Sequence, residues 1–222
     1  MAPILRLYED TIGAGVSAVS LPALARMIFV VHGQAYIDGQ RFADAEGSNQ
    51  AWHGEGSPTI EPGKDGVTLW RFELSAGGSS GGSITGPGLR STEKLCAILE
   101  MVPQGELLLR GDSVAFPPGG CAFLHRHAGP GIRCLLEGGI RIDTHGRSTS
   151  YGPGSAWFET GADPVFAQAA ADRSSRFVRA MVLPRDLVGK SSFQFVNEED
   201  KAKPRVQQYK IFVDAPIARP HG

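Results

Sequence analysis

The chain has 222 residues, with 22 Lys and Arg against 23 Asp and Glu and a formal net charge of −1. Mixed signs along its length leave no electrostatic footprint for nucleic acid or for an anionic membrane surface, so neither is an expected partner. The longest apolar runs, such as residues 27–31 (MIFVV), are far shorter than the roughly 20 residues that span a bilayer. The first ten residues lack the basic and apolar regions of a signal peptide. Three cysteines, Cys96, Cys121 and Cys134, are an odd number in apolar surroundings and read as reduced thiols. A soluble, cytoplasmic globular protein of one large or two small domains is the expectation.

Twenty-nine glycines and 15 prolines punctuate apolar runs of four to eight residues, the rhythm of many short strands. In chain order, residues 26–42 predict strand, turn, strand, with Asp38-Gly39 as a hairpin signal. Strands are further predicted in 66–74, 105–116, 132–143, 175–183 and 207–215, all rich in β-branched and aromatic residues. Residues 91–102 (STEKLCAILEMV) fit either a helix capped by Ser91 or Thr92, or a strand. The predicted class is all-β.

An internal repeat sets the organisation. FVVHGQAYID (29–38) aligns with CLLEGGIRID (134–143) at an offset of 105 residues, and the same offset places AWHG (51–54) on AWFE (156–159). With a small length change, 69–74 meets 177–183 and Arg71 pairs with Arg179. Two copies of one β-module follow, with the Gly/Ser-rich stretch 75–88 read as a flexible linker. The predicted domains are 1–88 and 89–222.

Chemistry concentrates in CAFLHRHAGPGIRCLLEGG (121–139). Residues two apart on a strand share a face, so His125 and His127 project together and could bind one divalent metal. Gly119, five residues, then His125-Arg126-His127 resembles the first motif of the cupin superfamily, and GSAWFETGADPVFAQA (154–169) stands where the second motif belongs, beginning at Gly154. With the repeat, the whole chain resembles a bicupin, two double-stranded β-helix (jelly-roll) barrels in tandem. The resemblance implies a three-His, one-Glu metal site, and the chain departs from it. The motif glutamate falls on Gly131 or Ile132, the second-motif histidine on Val165, the proline on Thr160 and the asparagine on Ala169. Glu137 lies ten residues past His127 in a hairpin and is rejected as a ligand.

Two outcomes follow. Other residues complete the site, with Glu159 the first candidate and Asp163 and Asp112 behind it; the metal would be Fe, Mn, Ni or Zn, and two His and one carboxylate suit Fe(II) oxygen chemistry, or Mn or Zn as a Lewis acid. Alternatively the metal is lost and the pocket binds an organic ligand by shape and charge. By the resemblance position 131 faces inward, and so by period two does Arg133, as a clamp for a carboxylate substrate or as an ion-pair partner of Glu159. Trp157, whose repeat mate is Trp52, reads as core packing. The first module lacks the histidine pair, with Ser20 and Pro22 in its place, and is expected to be structural; His32 and His53 read as turn and loop residues. The GKS at 189–191 lacks the upstream glycine of a phosphate loop, and His145 and His221 read as turn and tail.

The expected function is a metal-dependent cupin acting on a small, carboxylated organic molecule as an oxygenase, isomerase or lyase, with His125, His127 and Glu159 as ligands and Arg133 on the substrate. The alternative is a metal-free small-ligand-binding cupin, and a storage or structural role is the third reading. Exposed barrel edges and the segment QQYKIFVDA (207–215) are compatible with a homodimer.

Overall fold

The computed structural model describes residues 2–45, 47–77 and 81–220; the expected tail residue His221 and part of the Gly/Ser-rich stretch lie outside them. The chain divides into two compact units, Met1–Glu100 with Ile217–Gly222, and Met101–Pro216. Among the described residues no helix is long and apolar enough to cross a membrane.

The first unit contains β1 (Ile4–Ile12), β2 (Val19–Ser20), β3 (Ala25–Ile37), β4 (Gln40–Ala43), β5 (Ala51–Gly54), β6 (Thr59–Ser75) and β7 (Leu89–Ile98), in one sheet of order β4-β3-β6-β1-β7 with β2 on β6 and β5 on β3. β3 pairs with β5 through residues 26–29 and with β4 through 34–37, and its ladder to β6 shifts register twice in between. Such bulges bend a strand and increase its twist, which lets one long strand serve two faces of a core. At the β3–β4 hairpin Asp38 and Gly39 both take positive φ (50° and 79°), as its two-residue turn requires.

The second unit contains β8 (Leu107–Phe116), β9 (Cys121–His127), β10 (Gly131–Glu137), β11 (Ile140–Thr144), β12 (Arg147–Tyr151), β13 (Ala156–Glu159), β14 (Val165–Ala169), β15 (Ser175–Pro184), β16 (Phe193–Phe195) and β17 (Gln208–Ile217). They form two five-stranded sheets, β13-β10-β15-β8-β17 and β12-β11-β14-β9-β16. Val114, Leu135 and Phe177 of the first sheet pack with Ala122, Ile142 and Val165 of the second in one buried cluster. Core and site share this space.

The repeat is visible in the pairing registers. Ile28 stands opposite Trp52 and Arg71, and its repeat mate Arg133 stands opposite Trp157 and Arg179. The predicted boundary needs correction. Residues 89–98, expected to open the second barrel, form β7 and pair with β1 on both sides of a bulge at Lys94, so the division falls between residues 100 and 101. The same segment is a strand, which removes the helical option. The Gly/Ser-rich stretch therefore joins two strands of one sheet rather than two domains. Its backbone is engaged: Gly81 N–H donates to Glu73 (3.1 Å) and the Gly82 carbonyl accepts from Arg71 (2.9 Å). The segment 207–215 lies largely in β17, which pairs with β8 of its own chain.

Candidate functional site

Period two along β9 places His125 and His127 inside and Arg126 outside. The His125 ring lies flat on Phe193, with centroids 4.3 Å apart, and meets the His127 ring edge-on at 4.9 Å. Its Nδ1 is 2.7 Å from the Phe123 carbonyl, which can only accept, so Nδ1 carries the proton and Nε2 is a free acceptor. His127 Nε2 lies 3.4 Å from Arg179 Nη1, which can only donate, so its proton sits on Nδ1, facing Ser192 Oγ at 3.4 Å. Burial pushes His125 down to about 4, with Glu159 acting the other way. Burial, then Arg179 and Arg133, hold His127 well below the usual histidine range. Both rings are neutral at pH 7.

Two buried guanidiniums share this interior. Arg133, fully buried, donates Nη1 to the Gly131 carbonyl at 2.6 Å and brings Nη2 to 2.7 Å from Glu159 Oε2. Burial lowers its pKa to about 10 while Glu159 raises it. Glu159 Oε1 accepts from the indole N–H of Trp157 at 2.8 Å. The Arg133 approach to Oε2 lacks hydrogen-bond alignment, so that oxygen is buried with no donor, 3.9 Å from His127 Nε2. Arg179 grips Asp112 with two hydrogen bonds of 2.6 and 3.0 Å. Burial lowers the Arg179 pKa, but the Asp112 carboxylate more than offsets this and the net shift is upward. His125, His127, Arg133, Glu159 and Arg179 line a cavity of about 20 Å³, enough for a water or one small polar group.

The donor set does not fit the two-His, one-carboxylate metal centre expected from sequence. The Glu159 carboxylate is committed to Arg133, and the acceptor nitrogen of His127 faces a second permanent cation, Arg179. Among the described residues no group of three or more His, Cys, Asp or Glu side chains could hold a metal ion. The two positions at which the cupin resemblance would place further ligands, 131 and 165, cannot supply them. A Cβ on Gly131 would lie 2.5 Å from the Ala180 carbonyl oxygen and 2.8 Å from Met181 Cγ, so the backbone approach that replaces the glutamate leaves no room for one. Val165, buried and opposite His125 on β14, offers no lone pair.

No family model and no curated protein matches the chain. Solved structures do. A variant of oxalate decarboxylase from Bacillus subtilis superposes with a TM-score of 0.58 at 14% identity, over 90% of this chain and 73% of that one. The structure of oxalate decarboxylase from Bacillus subtilis at pH 4.6 gives 0.52 at 13% identity, over 91% and 69%. The fold is the cupin fold. A cupin 2 conserved barrel domain protein from Leptotrichia buccalis also matches, at 12% identity and a TM-score of 0.47 over 82% and 84%.

Within this cupin fold the other sequence candidates fall outside the interior or are already engaged. Arg133 faces inward as expected, but as the ion-pair partner of Glu159 rather than a free clamp. Asp112 holds Arg179, and Asp163 bonds Thr160 and His145 at the surface. Glu137 is exposed and pairs with Arg176 at 3.0 Å. Trp157 is core, as its repeat predicts. His32 is exposed beside Asp44, and His53 is exposed on β5. Sequence reading missed Arg179, Ser192, Phe193 and Tyr209. Only Arg179 left a trace, as the repeat mate of Arg71.

In the first unit the same place is filled. Arg26, at the repeat position of Gly131, and Arg71 both reach Glu73, and Arg71 also grips Asp10; all four are buried. Burial lowers the Arg26 pKa, against Glu73, and its Nη1 has no hydrogen-bond partner.

Proposed function

We propose that the chain is a two-barrel cupin whose second barrel binds a small organic molecule directly, without a metal between protein and ligand. The observation that carries this reading is the Arg133–Glu159 pair, which takes the one interior carboxylate near the histidines out of the ligand set. What is left facing the cavity is a mixed hydrogen-bonding floor. His125 Nε2 accepts, and the Arg179 guanidinium donates. A floor of this kind orients one polar group of a ligand. The free space of about 20 Å³ is too small for the ligand's body, which therefore belongs outside the floor.

A second reading has one observation in its favour. Glu159 Oε2 is buried, lacks a donor and lies 3.9 Å from His127 Nε2, so a shift of Arg133 would free a carboxylate for Fe, Mn, Ni or Zn beside the two imidazoles. Elemental analysis of the purified protein after supplementation with each metal separates the two. The direct-binding reading expects no stoichiometric metal in the wild type. Retention that is abolished by His125→Ala/His127→Ala, and weakened by Glu159→Gln, would overturn it.

A further inference from the structure

The second unit carries a larger cleft of about 300 Å³, bounded by Arg110, Asp112, Lys190, Arg205 and Ile211 among others. It shares three walls, Arg179, Phe193 and Tyr209, with the small interior cavity. Phe193 is half-buried and Tyr209 is 46% exposed, so the two rings separate an open vestibule from the polar floor.

The charges of this vestibule are unequal in what they have left to give. Arg110 is spent on Asp214 (2.7 and 3.0 Å) and on the carbonyls of Lys190 and Leu187, both at 2.6 Å. Arg179 is held by Asp112. Lys190 and Arg205 are exposed, and among the described residues neither ammonium nor guanidinium has a carboxylate within ion-pair distance. Arg205 instead lies over the rings of Phe193 (5.2 Å) and Phe195 (4.8 Å), which holds it at the rim. Two uncompensated cations therefore flank an apolar wall of Phe193, Tyr209 and Ile211.

We propose that this vestibule is the binding site of a small organic carboxylate with a flat apolar body, its carboxylate held between Lys190 and Arg205 and its body packed against Tyr209, Ile211 and the edge of Phe193, whose faces are taken by His125 and Arg205. The inference rests on direct ligand binding by this barrel and supplies the ligand's charge class. A planar guanidinium donates two parallel hydrogen bonds to a carboxylate, and a lysine adds a point charge. An apolar wall beside them rewards a body that inorganic anions lack. A volume of 300 Å³ lies at the lower end of small-molecule pockets, which selects compact acids over nucleotides or peptides.

Titration calorimetry on the full chain tests this with benzoate, phenylacetate and hexanoate against benzamide and inorganic phosphate. At least one aromatic carboxylate should saturate the protein at a stoichiometry of one, and benzamide should bind at least about tenfold more weakly. Lys190→Gln/Arg205→Gln should lose about tenfold or more in carboxylate affinity, with an unchanged melting temperature because both side chains are exposed. Affinity should fall as salt is raised. Equal binding of benzoate and benzamide, or an unaffected double variant, overturns the charge assignment while leaving direct binding intact. Saturation by none of the organic probes overturns the vestibule site. Metal retention through His125 and His127 removes the direct-binding reading instead, and the carboxylate arms still report on Lys190 and Arg205.

Discussion

Arg133 and Arg179 stand directly opposite each other in the β10–β15 ladder, both point into one interior, and each is neutralised by a different acid. Like charges facing across a ladder are destabilising, and here both are desolvated as well. Glu159 and Asp112 are thereby fixed in place by need. Two guanidiniums and their two acids thus surround the histidine pair.

Glu159→Gln leaves Arg133 buried with no counter-charge and should destabilise the second unit by about 3–5 kcal/mol. Arg133→Met/Glu159→Gln should cost less than Glu159→Gln alone, since the uncompensated charge is gone. Urea denaturation of the two single variants and the double variant measures the coupling; strict additivity would show that the pair is not an interacting unit.

His125 is neutral in the folded chain down to about pH 4 and titrates near 6.5 when unfolded. Between these values the unfolded state binds the extra proton, so stability is complete above pH 6.5 and falls as the pH drops toward 4. His125 alone contributes a loss on the order of 3 kcal/mol by pH 4, and His127 adds in the same direction. Melting temperatures recorded from pH 7.5 to 4.5 should decline with a steepness that His125→Phe reduces, since a phenyl ring keeps the stacking on Phe193.

Gly131→Ala is expected to be costly although the backbone there needs no positive φ. Its Cβ would meet the Ala180 carbonyl and the Met181 side chain at 2.5 and 2.8 Å, and overpacking of this kind costs about 1–3 kcal/mol. Gly131→Glu, which places a glutamate where the cupin resemblance would have one, should be worse still and should gain no metal. A stable, metal-loaded Gly131→Glu variant would contradict the geometry of β10 against β15.

Asp214 ties β17 to the rim by accepting two hydrogen bonds from Arg110 and one from the Gly189 N–H at 2.7 Å. Asp214→Ala strands a guanidinium that is almost fully buried and should destabilise by about 2–4 kcal/mol. Hydrogen exchange should quicken at 187–191 and along β17, while β11 and β12 stay protected.

The strands were readable because glycines and prolines bound short runs rich in β-branched and aromatic residues, and the repeat because equivalent registers reuse equivalent side chains: Trp52 and Trp157, Arg71 and Arg179. The domain boundary was not. Composition marks 75–88 as linker, whereas the backbone of Gly81 and Gly82 is held by Glu73 and Arg71, buried charges that a composition scan cannot see. The histidine pair was legible from two-residue spacing alone. Arg179 was not, because an arginine in the apolar strand SRFVRAMVL gives no local sign of facing inward, and its acid, Asp112, lies 67 residues away. Arg133 was placed on the correct face, but its engagement with Glu159 depends on β13 arriving beside β10.

The two halves of the repeat differ in one further respect. Where the second unit has Gly131 and a small central void, the first has Arg26, whose guanidinium occupies the equivalent interior with Arg71, Asp10 and Glu73. A duplicated module would ordinarily double its binding capacity. Here one copy is plugged by its own side chain, so saturation should come at a single equivalent per polypeptide, and the binding curve should be hyperbolic.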